Sequence, residues 1–555
     1  YDGETLRLFL DGKFAAEKSH EGTMDFSPHP VFIGRNPELL RTMRGVIDDV
    51  RMYRYALSED ELNDGAARKP KDALLWLDLN EFTVEAREWF AYGGDLGENP
   101  SDGTFCFNGL VASDRTPHPA LWEYKKILEP VALELLDAKT GTLEITNRHH
   151  FLDLSYLTCE WLVSTDEGVL AQGVVPALDT APGAKTRITI PFGNLPKTSA
   201  LKHDLTVRFI LSQPSTWANA GHEVAWAQFE LPNPDAHPVM TNREIPSLNL
   251  REAEGVTIVE GQDFRMTFDQ LRGSLRTWRV GENELLAKGP SPSFWRAPTD
   301  NDRISGAEKR WRDSGYHQML KEVTTVYFVQ PSPEEVRGVI EMTLKGAKAK
   351  GQFRCVMTYV IYGTGEVALR FEGNPEGPLA DLPRVGLSLS LPKRFAYATW
   401  YGRGPHESYS DRKQGAPVGV FEEIVAPDNL PYARPQEYGN RTDVVWATFT
   451  DVNYYGLCAV GAPAFQFTAH PFTTESLTEA AHPFDLMPSD TITVHLDWAT
   501  SGLGNGSCGP ATLPQYLIEP APWDYTIRLA PATPSDVGVV ERSRYQLPYA
   551  AALKG

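Results

Sequence analysis

Cysteine is scarce in this chain: five residues in 555, at positions 106, 159, 355, 458 and 508, none of them in a C-x-x-C pair. That spacing supports neither a zinc site nor a disulfide framework. The odd count points to free thiols, which say little about compartment. Long apolar runs are missing as well. No unbroken stretch reaches the roughly 18 residues that a membrane-spanning helix needs, so no membrane span is expected. Positive charge is short too: 53 Lys and Arg face 73 Asp and Glu, for a net charge of −20. With no basic stripe to reverse that sign locally, nucleic acid is not an expected partner. The first residues, Tyr1-Asp2-Gly3, carry no methionine, no basic segment and no apolar signal core. Strand-like alternation is under way by Thr5, so the chain is expected to begin inside a folded module, as a fragment of something longer.

The sequence is rich in short alternating segments. At 555 residues it exceeds one hydrophobic core and should divide into roughly three or four domains. Up to about residue 68, β segments at 5–10, 31–35 and 45–53 are separated by polar turns, with a hairpin signal at Asp11-Gly12. A helix start follows, where Ser58 and Glu61 can form a capping box and Leu57 can staple onto Leu62. From 89 to 92 an apolar segment reads as a strand ending at Gly93-Gly94 and Asp95, and Pro117 and Pro119 lead into a helix near Ala120. Residues 129–234 read as an all-β sandwich, with strand patterns at 143–146, 159–163 and 205–209. His149 and His150 are adjacent on an expected strand and would face opposite ways, which argues against a shared metal. After a Pro-rich linker (231–248), about 300 residues with abundant β-branched and aromatic side chains suggest an extended two-layer sandwich.

Several segments resemble a known family. "LRLFLDGK", "IGR" and "GVIDDVRMYRYALSEDEL" look like the second half of a laminin-G-like jelly roll, where Asp48 and Asp49 are either calcium ligands or strand-edge structure. "EWFAYGGDLGENPSDGTFCFNGLVASDRTPHPALWEYKK" is similar throughout to the end of the (β/α)8 barrel of bacterial β-galactosidases of glycoside hydrolase family 2. "NRHHFLDLSYLTCEWLV" and "STWANAGHEVAWAQFEL" continue the likeness. "SPSFWRAPTDNDR", "WYGRGPHESYSDRKQGAPVGVF", "PQEYGNRTDVVW" and "SGLGNGSCGPATLPQY" follow in the order of that family's C-terminal supersandwich, a fold shared with galactose mutarotase.

The resemblance implies a mainly β chain of four parts: a partial laminin-G-like jelly roll (1–68), the end of the catalytic barrel (74–128), an immunoglobulin-like β-sandwich (129–234) and a galactose-mutarotase-like supersandwich (243–555). It implies a sodium ion held by the Phe105 carbonyl and the Asn108 side chain, with Asp102 as a supporting carboxylate near the sugar. Hard cations prefer such oxygen ligands. Ser101 stands where the family has an asparagine associated with a second magnesium, which puts that outer site in doubt. The catalytic glutamates and most magnesium ligands are expected before Tyr1, so the chain alone is expected to be inactive. Cys508 stands where the family usually offers a tryptophan platform to the substrate; either the pocket is roomier there, or Cys508 is a small packing residue. The implied partners are a β-galactoside such as lactose, the N-terminal portion of the enzyme and further copies of the same chain.

Within the supersandwich motifs, His406, Glu407 and Glu437, or Asp300, Asp302 and Asp411, could form an acid/base set. Arg296, Arg303, Arg412 and Arg441 lie in the same motifs, however, and carboxylate–arginine pairs that brace loops are the preferred reading. A mutarotase-like isomerase and a non-catalytic glycan-binding protein remain the alternatives, and neither requires the barrel-end segment.

Overall fold

The computed structural model describes residues 90–198, 200, 202–233, 245–534 and 538–544, and in the N-terminal part the strands alone. The chain divides into two units, residues 1–88 and 89–555. In the first, β1 (Thr5–Leu10) and β2 (Lys13–Ser19) pair antiparallel with Leu10 opposite Lys13, closing the hairpin expected at residues 11 and 12. Short strands β3 (Arg35–Asn36) and β4 (Arg41–Thr42) pair with each other, as do β5 (Val50–Tyr53) and β6 (Ala73–Leu77). Asp48, Asp49, Leu57, Ser58, Glu61, Leu62 and Trp89 lie outside the described residues.

The second unit begins without the expected strand. Among the described residues, 90–92 join no sheet; an apolar pattern makes a strand only where a neighbouring strand takes up its hydrogen bonds. The segment is instead a series of turns leading to a 3₁₀ helix (Gly103–Phe107) and then helix α1 (Pro119–Ile127), which starts with a proline at its first position as expected.

Seven strands build a sandwich. One sheet has the order β10 (Gly168–Val175), β9 (Leu157–Thr165), β12 (His203–Leu211), β13 (Glu223–Leu231); the other has β11 (Lys185–Thr189), β8 (Thr142–Asn147), β7 (Val131–Asp137). Strand β9 alternates buried and half-buried side chains along its whole length. That is the period of two which places Cys159, Trp161 and Val163 against Ile145, Val207 and Phe209 between the layers. His149 and His150 fall after β8 ends at Asn147, so they are not strand residues: His149 Nε2 meets the Tyr156 hydroxyl at 2.7 Å.

Five strands, β14 (Asn249–Ala253), β15 (Val256–Glu260), β16 (Phe264–Asp269), β17 (Ser274–Val280) and β18 (Asn283–Glu284), form a meander. It leads into a twelve-stranded sheet. Its main path runs β19 (Lys288–Ser293), β24 (Arg384–Pro392), β29 (Thr491–Thr500), β28 (Gly456–His470), β30 (Trp523–Ala532), β23 (Val367–Glu376), β22 (Gln352–Tyr362), β21 (Glu335–Gly346), β20 (Met319–Ser332). Strands β25 (Tyr397–Arg403), β26 (Val418–Ile424) and β27 (Arg441–Thr450) branch from β28. One apolar core spans the meander and the large sheet, from Trp278 and Phe268 to Phe353, Phe371 and Trp400. Sandwich and large sheet are joined by buried polar contacts. Asp166 accepts from Trp446 Nε1 at 3.1 Å and pairs with Arg544 at 2.8 Å, and the Tyr401 hydroxyl donates to Asp204 at 2.7 Å. Among the described residues no helix is long and apolar enough to cross a membrane.

Candidate functional site

The 90–118 segment is shaped by its own amides. Asp95 accepts from the Tyr92 amide at 2.8 Å and Glu98 from the Gly94 amide at 2.8 Å, turns that hold both carboxylates below the usual range. The loop closes where the Gly93 amide donates to the Gly103 carbonyl at 3.0 Å. A Cβ on residue 93 would sit 2.9 Å from Gly103 N, so only glycine permits the closure.

This segment is clamped onto the large sheet domain by residues far away in sequence. Asp95 meets His482 Nε2 at 3.0 Å, the Tyr92 ring stacks on His482 at 4.7 Å, and the Tyr92 hydroxyl donates to the Ala481 carbonyl at 2.6 Å. Phe107 adds an edge-on contact to Tyr92 at 6.1 Å, and Phe484 stacks on the other partner, His482, at 4.8 Å. Burial raises the Tyr92 hydroxyl pKa, with the charges of Asp95 and Asp300 adding and Arg434 and Arg303 opposing. From α1, the Glu123 carboxylate accepts from the amides of Gln414 and Gly415 at 3.1 and 2.6 Å.

The expected cation ligands share one turn. The Phe105 carbonyl accepts the Asn108 amide at 3.1 Å, which leaves one lone pair free, and Phe105, Asn108 and Asp102 are all exposed. Two neutral oxygens with a nearby carboxylate suit a hard cation chemically, but they are a partial shell, since such ions take about six or more oxygens. Residues 502–510, the other expected wall, are held from three directions. Arg296 donates to the Ser501 and Gly502 carbonyls at 2.6 and 3.1 Å. Asp411 accepts the Leu503 and Gly504 amides at 3.0 and 2.8 Å. Asn301, one residue from Asp300, donates to the Gly504 carbonyl at 2.8 Å and accepts the Ser507 amide and hydroxyl at 2.9 and 2.6 Å. Cys508 near the end of this loop is exposed. Among the described residues no hydrogen bond or ring contact joins Cys508 to Phe105 or Asn108; the Cys508 loop is instead tied to α2 (Asp300–Ile304) through Asn301.

The carboxylates that offered acid/base chemistry are consumed in pairs. Asp302 takes both arms of Arg296 at 3.1 and 2.7 Å. Glu407 accepts from Arg412, from the Tyr432 hydroxyl at 2.6 Å and from the Gly439 amide at 2.6 Å. Burial pushes the Glu407 pKa up, but those donors outweigh it and hold the carboxyl below its usual range. Arg384 bridges Glu437 at 3.0 Å and Asp497 at 2.9 Å; burial dominates there, raising Glu437 and pushing Asp497 up to about 7. All four carboxylates are buried, out of reach of a sugar. Asp411 is the departure: it caps loop amides and, among the described residues, pairs with no arginine. Sequence reading assigned no role to His482, Asn301 and Arg384, which act across 53 to 387 positions; Asn301 lies within SPSFWRAPTDNDR, and no local motif marks the other two.

Comparison with known proteins follows the same layout. The chain matches the model of the glycosyl hydrolases family 2 TIM barrel domain over 75–133, β-galactosidase domain 4 over 143–232, the β-galactosidase small chain over 260–529, and the concanavalin A-like lectin/glucanases superfamily over 1–63. The chain therefore belongs to glycoside hydrolase family 2. Within it, the chain groups with the β-galactosidases. It is 34% identical over 450 residues to a β-galactosidase of Priestia megaterium, covering 80% of this chain and 43% of that one. With a Vibrio cholerae β-galactosidase it shares 31% over 477 residues, 83% and 44% of the two chains. With one from Vibrio vulnificus it shares 29% over 479 residues, 82% and 45%. The chain thus spans under half the length of these relatives. Among solved structures, a galactose mutarotase related enzyme from Lactobacillus acidophilus aligns with 51% of this chain and 99% of its own at 8% identity and a TM-score of 0.28.

Proposed function

We propose that this chain supplies the supporting domains and one wall of the galactoside pocket of a retaining β-galactosidase that hydrolyses terminal β-galactosides such as lactose. The observation that carries the reading is the clamp of Tyr92 and Asp95 on His482, which seats the barrel-end segment on the large sheet domain while leaving the oxygens of Phe105 and Asn108 open. In this reading Phe105 and Asn108 are sodium ligands beside the sugar, Asp102 supports them, and Cys508 borders the aglycone side. A sodium ion there would orient a sugar hydroxyl and bring positive charge to the pocket.

Retaining hydrolysis needs two carboxyl groups roughly 5–5.5 Å apart, one protonating the leaving oxygen and one attacking the anomeric carbon. The buried, arginine-paired carboxylates around Arg296, Arg384 and Arg412 are unsuited to either task, so the pair is assigned to a complementary N-terminal portion, together with most magnesium ligands. The test is hydrolysis of a chromogenic β-galactoside by the purified chain with sodium and magnesium, alone and after mixing with the N-terminal portion of a relative. The expected result is no turnover alone and sodium-dependent turnover in the mixture. Turnover by the chain alone would overturn the reading.

A further inference from the structure

A groove of about 510 Å3 opens where the two end strands of the twelve-stranded sheet approach the turn between β16 and β17. Lys288 comes from β19, Lys321 from β20, and Arg272 and Arg276 from the turn and the start of β17. A Cβ on residue 289 would fall 2.1 Å from the Leu275 carbonyl oxygen, so the backbones of β19 and β17 are pressed together and hold Lys288 and Arg276 on adjacent strands.

Four cationic side chains thus line the groove against one carboxylate, Asp269, on a chain of net charge −20. Asp269 is already engaged, accepting the Arg272 amide at 2.8 Å and standing 3.9 Å from its guanidinium. Among the described residues no carboxylate lies within ion-pair distance of Arg276, Lys288 or Lys321. Among the described residues the Lys321 ammonium donates to the Gly273 carbonyl alone, at 3.3 Å. Burial and then the Lys288 charge depress its pKa, and Asp269 opposes them without cancelling them. Cations crowded in this way repel one another, and an added anion would relieve the repulsion. The groove also falls within the size of small-ligand sites, about 300–1,000 Å3, and Leu275, Pro290 and Val323 give it apolar walls.

We propose that this groove binds a small multivalent anion, a compact ligand carrying two or more phosphate, sulfate or carboxylate groups. The plainer role for these side chains is to discourage pairing between sheet edges, which lysines on end strands commonly do. The two roles separate in calorimetric titration of the full chain with inorganic pyrophosphate, with a sulfated disaccharide and with its unsulfated parent, at low and high salt. The expected result is saturable one-site binding at low salt, weakened by salt and absent for the unsulfated sugar. Pyrophosphate as the tighter probe would mark a phosphate-type ligand, and the sulfated sugar an anionic glycan. The double variant Lys288→Gln/Lys321→Gln, and separately Arg276→Gln, should each weaken binding roughly tenfold. Exposed Lys393→Gln should leave it unchanged. Three outcomes would sink the proposal: no saturable binding of any probe, an equal loss in Lys393→Gln, or self-association of the double variant with binding intact.

Discussion

Around Arg384 charge is enclosed. The guanidinium is fully buried, and so are Glu437 and Asp497 on either side of it. Around Asn108 polarity is open: the side chain is exposed, the Phe105 carbonyl has a lone pair to spare, and Asp102 faces solvent. The enclosed region is dense in carboxylates, yet every one is matched to an arginine, a hydroxyl or an amide. The open region is sparse in charge, yet its oxygens are available. A count of acid/base residues therefore favours the enclosed region; what suits a site is donor or acceptor capacity left open to solvent after folding.

The largest test of that contrast is Arg384→Met. Removing one partner of a buried pair strands the others, at a typical cost of about 3–5 kcal/mol, whereas a well-matched pair adds little over an apolar core. Urea unfolding should show that loss, while Asn108→Ala should stay within about 0.5 kcal/mol of the parent. Equal effects at the two positions would erase the distinction.

Acid should expose the same contrast. Burial, against the opposing effect of the Tyr438 carbonyl 2.9 Å from its Nε2, lowers the His470 pKa to about 4 from 6.5. Below pH 6.5 the unfolded chain then binds a proton that the folded chain refuses, so stability falls as pH drops from 6.5 to about 4 and levels off beneath. The contribution is on the order of 3 kcal/mol, and His470→Gln should make the slope in that window shallower by its one proton, the depressed His406 and His495 keeping the rest. A slope unchanged in the variant would show that His470 is not the group responsible.

How far these two regions were legible beforehand follows from contact range. The strand pattern at 159–163 and the proline pair at 117 and 119 act within a few residues, and strand β9, two residues longer at each end, and helix α1 appear where they point. Arg296 and Asp302 are six apart, and their pairing was readable. Arg384 meets Asp497 only because β24 lies beside β29, a register that nothing near either residue encodes. Residues 90–92 failed in the opposite sense. Their apolar pattern is right for a strand, but a strand is defined by its neighbours, and the pattern cannot supply them. The sodium ligands and Cys508 came from family resemblance alone, since a carbonyl and an exposed amide leave no trace in composition.

A smaller effect is expected from releasing the open region. His482→Ala removes the partner of Asp95 and the platform under Tyr92 together. Hydrogen exchange at the Gly93 and Asp95 amides should quicken while the global unfolding midpoint holds. A midpoint that falls with exchange would mean that the 90–118 segment is part of the cooperative core.

The smallest change concerns the edge of the open region. Cys508 is exposed, and its loop is fixed by Arg296, Asn301 and Asp411 and not by the cysteine itself. Cys508→Trp should therefore fold as well as the parent and present an indole on a rigid support. If this loop borders the aglycone side of a galactoside pocket, ring stacking worth about 0.5–1.5 kcal/mol should lower KM for an aryl galactoside roughly two- to thirteenfold in the complemented enzyme. The gain belongs in KM, because the platform would grip substrate and transition state alike. A change confined to kcat would place Cys508 against the reacting centre, and no change in either constant would detach the loop from the substrate altogether.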